Sequence, residues 1–107
     1  MRESDIEKHL VKRVKELGGE CRKLQWIGRN GAPDRLVMLP QRWCVAPDKY
    51  VGIDRNYLRE HLTIWVELKA PGQKPRPNQL REHERMRAMG QRVEVIDSIE
   101  GVEELLS

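Results

Sequence analysis

The sequence predicts a single α/β domain in which helices flank a mixed central β-sheet. Three observations predict it. Helix-spaced apolar residues alternate with short runs of strand-forming residues, and the elements follow the order helix, three strands, helix, strand, helix. The strand-helix-strand passage near the end favours at least one parallel pair. A chain of 107 residues with 38% hydrophobic content supports one small core and no second.

The first helix announces itself by Ser4-x-x-Glu7, a capping-box pattern, and by Ile6, Leu10, Val14 and Leu17 at helical spacing until Gly18-Gly19 stops it. "ECRKLQW" then extends as a strand and "GRNGA" is turn chemistry. "DRLVMLP" is a near-continuous apolar strand, as expected in a sheet covered on both faces. Residues 41–62 lose the pattern and are read as an insertion, with a short helix capped by Asp54. "TIWVELK" is the third strand, and the breaker cluster "APGQKPRP" follows it. Pro77 opens the second helix, Gly90 ends it, "RVEVID" is the last strand, and Ser98 caps a short final helix.

Composition excludes several classes. No run approaches the roughly 20 apolar residues of a membrane span, and the N-terminus lacks the apolar stretch of a signal peptide, so a cytoplasmic protein of a bacterial or virus-infected host cell is expected. Cys21 and Cys44 are read as free thiols. His9, His61 and His83 have no zinc spacing; the first two are read as solvated and His83 as a packed helix residue. Twenty basic residues face 17 acidic ones, a net charge of +3 that is compatible with a polyanionic partner without demanding one. Trp26, Trp43 and Trp65 are read as core or interface bulk, with Trp43 the candidate for a dimer or DNA contact.

Glu67 and Lys69, two apart on a strand, share a face, while Val66 and Leu68 take the other. Asp34 opens a different strand. If the two strands pair, two carboxylates converge beside a lysine, which is the donor set a hard divalent ion takes when waters and a substrate phosphate complete its shell. Asp34 and Glu67, with the main-chain carbonyl of Leu68, would then hold Mg²⁺ or Mn²⁺. Lys69 would either orient the attacking water or neutralise transition-state charge. Asp48 in "APDK" repeats the Pro-Asp pair; Asp34 is preferred because a rigid strand follows it.

"GAPDR" at 31–35, "VELK" at 66–69 and Gln79 opening the next helix resemble the virus-type replication-repair nuclease domain (VRR-NUC), a branch of the PD-(D/E)XK nucleases, over nearly the whole chain. The resemblance implies a restriction-endonuclease-like fold with an αβββαβ core and metal-dependent hydrolysis of phosphodiester bonds in branched DNA, such as Holliday junctions or flaps. It also implies a homodimer. Asp34, Glu67 and Lys69 become the core site, with Glu7 and Gln79 supporting it. The stretch at 41–62 is longer than the short hairpin of the family.

Each residue has a plainer reading. Glu7 closes a capping box, or, from its place in the apolar stripe between Val11 and Val14, approaches the metal water. Gln79 decorates a first turn, or hydrogen-bonds Lys69 or the attacking water. Lys23, Arg35, Lys74, Arg76 and Arg81 are solvated charges or DNA phosphate contacts. The whole domain is alternatively a non-cleaving nucleic-acid-binding module, or a metal-independent structural domain.

Overall fold

Ile6, Leu10 and Val14 give α1 (Glu3–Glu16) one apolar stripe, and all three are fully buried against the sheet. The structure, a computed structural model, describes residues 1–40, 43–45, 56–58 and 63–107. After α1 come β1 (Glu20–Lys23), β2 (Arg35–Met38), β3 (Trp43–Val45), β4 (Asn56–Leu58), β5 (Thr63–Leu68), α2 (Pro77–Ala88), β6 (Val93–Ile96) and α3 (Ile99–Leu106). The main sheet runs β1-β2-β5-β6, antiparallel except for the β5-β6 pair, which α2 joins in parallel. The mixed sheet expected from the crossover is therefore present.

The two faces of the sheet have different chemistry. Val37, Ile64, Val66, Leu68 and Ile96 point at α1 and α3, and with Ile6, Leu10, Val14, Val102, Leu105 and Leu106 they form the apolar core. Each fully buried aliphatic side chain there contributes about 1.5–3 kcal/mol. The alternate residues of β5, Trp65 and Glu67, take the other face, where buried His83 of α2 lies against Glu67 and Trp26 packs on Trp65. One face holds the domain together and the other carries a carboxylate.

Three expectations are corrected. The first helix is capped at Arg2, whose backbone N–H donates to Asp5 Oδ2 at 2.8 Å, so Ser4 lies inside the helix and Glu7 is released from any capping role. Asp5 wins because it stands three residues beyond the true N-cap. His9 is not simply solvated: its Nε2 lies 2.8 Å from Glu103 Oε2, and Arg13 Nε donates to the same oxygen at 3.0 Å, tying α1 to α3. Within the insertion, β3 and β4 pair antiparallel as a separate two-stranded sheet, so strand takes Asn56–Leu58 where a helix was expected. Asp54, Asp48 and His61 lie outside the described residues, as do the side chains of Trp43 and Cys44, while Cys21 is a free thiol.

The remaining elements follow their local signals. Pro77 stands in the first turn of α2, and Ser98 Oγ accepts from Gly101 N–H at 2.9 Å to cap α3. Gly31, at φ 81°, lets the loop before β2 lie directly on α2. A Cβ at this position would fall 2.6 Å from the main-chain oxygen of Asn78, whereas one at Gly28 (φ 73°) would meet nothing within 4 Å. Gly28→Ala is therefore expected to cost about 1–2 kcal/mol, the left-handed backbone alone. Gly31→Ala should cost distinctly more. Urea denaturation of both variants checks this, and equal losses would mean that the loop does not rest on α2.

Candidate active site

Strand register builds the site. Arg35 pairs with Val66 and Leu36 with Trp65, so the next step of the same antiparallel ladder sets Asp34 opposite Glu67. Directly opposed residues project to one face with Cβ atoms roughly 4.5–5.5 Å apart. The Asp34 carbonyl still belongs to the sheet, because Leu24 N–H donates to it at 2.8 Å. Two acids separated by more than thirty residues thus meet because the sheet puts them there.

Around Asp34 the backbone is held at successive points. Gly31 rests on α2, Trp26 Nε1 donates to the Pro33 carbonyl at 2.7 Å, and Arg35 Nη1 donates to the Asp34 carbonyl at 3.1 Å. Trp26 and Trp65 pack at 5.6 Å between ring centroids, and Trp65 Nε1 donates to Gln91. Arg29 adds a bidentate ion pair to Glu82 on α2, at 2.8 and 2.9 Å. The loop "GRNGAPD" is fixed from both ends.

Arg35 departs from the expected role as a phosphate contact. Its side chain is 5% exposed, and its guanidinium reaches Glu7 Oε2 at 2.8 Å and Asp34 Oδ2 at 3.1 Å. Both arms are occupied by carboxylates, and a buried cation so paired has no reach toward solvent. Glu7 therefore meets Asp34 through Arg35, at one remove from the pair of acids. The Arg76 backbone N–H donates to Gln79 Oε1 at 2.8 Å, closing the start of α2. Lys69 continues β5 on the Glu67 side and is held by its backbone N–H on the Ile96 carbonyl at 2.9 Å. Lys23, Lys74, Arg76 and Arg81 are exposed.

Charge on the site is unbalanced. Asp34 Oδ1 and Glu67 Oε1 are buried and have no hydrogen-bond partner, although buried polar atoms are rarely left so. Burial first, and then the neighbouring Asp34 charge, push the Glu67 carboxyl up to about 7, against the smaller opposing pull of Lys69. Across from Glu67 on α2, His83 is fully buried, its Nε2 is 3.7 Å from Glu67 Oε1, and neither ring nitrogen has a partner. Burial, followed by the Arg87 charge, holds the His83 ring below its ordinary value. Among the described residues no three His, Cys, Asp or Glu side chains gather as a metal cage. The donor set is two opposed carboxylates, and a divalent cation fits it on charge: seated between them it would take up the free Asp34 oxygen and remove the repulsion between the two acids.

Comparison with known proteins identifies the family of the fold. No protein-family model matches the chain. "Putative nuclease p44" of Acyrthosiphon pisum secondary endosymbiont phage 1 is 45% identical over 98 residues, which span 92% of this chain and 85% of that protein. A solved structure described as a VRR_NUC domain superposes with a TM-score of 0.73 at 37% identity, covering 97% of this chain and 92% of its own. The chain belongs to the VRR-NUC family of nuclease domains.

The raised Glu67 carboxyl carries a pH signature in the metal-free protein. Because it is about 7 in the fold and 4.5 otherwise, the folded state binds the proton more tightly. The contribution to stability is complete below pH 4.5 and is lost as pH rises through 7. Urea denaturation in chelator should show the parent losing up to ~3 kcal/mol across that window relative to Glu67→Gln, which has nothing to titrate. Parallel pH profiles for the two proteins would contradict the buried, crowded carboxylate.

Proposed function

We propose that this chain is a Mg²⁺- or Mn²⁺-dependent deoxyribonuclease that hydrolyses phosphodiester bonds in branched or flapped DNA, acting as a homodimer. The observation that supports it best is the opposition of Asp34 and Glu67 across paired strands, with Asp34 Oδ1 buried and lacking a partner. Family membership supports the nuclease reading, and the acid pair supports the dependence on a divalent ion.

Asp34 and Glu67 would hold the ion, with the Leu68 main-chain carbonyl on the same strand as a third oxygen donor. When bound, such an ion supplies a Lewis acid and a more acidic water. The protein's own residues do the rest. Arg35 takes one oxygen of Asp34 and leaves Oδ1 free, so the carboxylate is oriented before any ligand arrives. Lys69, next on the Glu67 side of β5 and near enough to pull on the Glu67 carboxyl, would hold the attacking water or offset charge on the phosphate. Glu7 keeps Arg35 in place. The exposed Lys74, Arg76 and Arg81 run from the end of β5 along the start of α2 and offer the DNA backbone a charged track. No described element presents a helix that reads bases, so recognition rests on shape and backbone.

Asp34→Ala and Lys69→Ala are expected to abolish cleavage of a labelled four-way junction or flap in Mn²⁺ while leaving thermal unfolding and much of the DNA binding intact. Lys74→Ala and Arg76→Ala should instead weaken binding and each lower the salt dependence by ~0.9 log units per log of salt. Junction binding without scission under any divalent ion would replace the enzyme by a non-cleaving module of the same fold.

A further inference from the structure

Three buried polar atoms on facing elements have no partner: Glu67 Oε1 on β5, and Nδ1 and Nε2 of His83 on α2. Buried polar atoms are rarely left so, because each loses its water without a replacement. The gap between Nε2 and Oε1 is 3.7 Å, so a rotamer adjustment of roughly 0.5–1 Å would bring them into the hydrogen-bonding range of about 2.7–3.2 Å and satisfy one atom on each side. His83 is fully buried, and α2 is pinned beside it by the Arg29 pair to Glu82, by the contact of Gly31 with Asn78, and by Arg87, whose Nη2 donates to the Val93 carbonyl at 2.9 Å. The ring has a fixed place and one acid in front of it.

We infer that His83 is the positioning residue of the acid pair: its neutral ring donates Nε2–H to Glu67 Oε1 and turns the other oxygen of Glu67 toward the position facing Asp34. This rests on the reading of Asp34 and Glu67 as metal ligands. A carboxylate ligand is oriented by what its outer oxygen touches, and loss of such a partner typically weakens metal binding about 10- to 100-fold. Arg35 does the same for Asp34 from the other side of the site, on Oδ2. The two acids are thus each held by one nitrogen donor, His83 for Glu67 and Arg35 for Asp34.

The test compares the parent, His83→Leu and His83→Gln by calorimetric titration with Mn²⁺ at one fixed pH. His83→Leu, similar in bulk and without a donor, should bind Mn²⁺ about tenfold or more weakly at unchanged or higher thermal stability. His83→Gln, whose amide nitrogen reaches as far as Nε2, should recover most of the affinity. In chelator, nitrogen-resolved NMR of the ring should find the proton on Nε2, with a resonance that moves in Glu67→Leu. Parent-like Mn²⁺ affinity in His83→Leu, or a proton on Nδ1 with Nε2 bare, overturns the inference and leaves the metal site standing. Absence of Mn²⁺ binding in the parent removes the metal reading itself, and the positioning role with it.

Discussion

The site depends on one electrostatic constraint: two carboxylates opposed across β2 and β5, with too little positive charge between them. Arg35 neutralises part of Asp34 and is itself shared with Glu7, so it contributes less than one full charge to the pair. Lys69 pulls on Glu67 more weakly than burial and Asp34 push. A fold that keeps such a pair stores an unfavourable term, and a doubly charged ion is the simplest partner that removes it. The apolar face of the same sheet makes this tolerable. Ile64, Val66 and Leu68, interleaved with Trp65 and Glu67, are sealed by α1 and α3 and anchor the strand that carries the acid.

Rigidity around Asp34 comes from contacts distant in sequence. The loop 28–33 is held by Trp26 on the Pro33 carbonyl, by Arg29 on Glu82 and by Gly31 on the start of α2, so its approach to α2 and the position of Asp34 are set together. The Asn30–Pro40 stretch combines glycine, proline, aspartate and arginine because each solves a different part of this problem. Gly31 permits the close approach, Pro33 is buried, Asp34 faces Glu67, and Arg35 turns beneath to hold Asp34 and Glu7.

Much of the fold was legible because its signals are local. The spacing of Ile6, Leu10 and Val14, Pro77 at the start of α2, Ser98 before α3, and the alternation within "TIWVELK" are read within one turn or one strand. The candidate acids were legible for the same reason, since Glu67-x-Lys69 and Pro33-Asp34-Arg35 are short. What escaped were pairings across the chain. The Arg29 to Glu82 pair spans 53 positions and the His9 to Glu103 pair 94, and no local pattern predicts either. The sequence offers Arg35 as a solvated charge or a DNA phosphate contact because arginine is mostly exposed; only the register, which points it at α1 together with Val37, puts it between two acids. His83 reads from the sequence as a packed helix residue and is fully buried, but its neighbour Glu67 is known only from how β5 and α2 meet in space.

The most direct measurement is a crystal structure grown with Mn²⁺ and read by the anomalous signal of the metal. One strong peak is expected between the carboxylates of Asp34 and Glu67, at the ~2.0–2.2 Å typical of a small divalent ion on oxygen ligands, with Arg35 still on the outer oxygen of Asp34. A protein that crystallises with Mn²⁺ bound elsewhere, or with Asp34 and Glu67 turned apart and no metal between them, would contradict it.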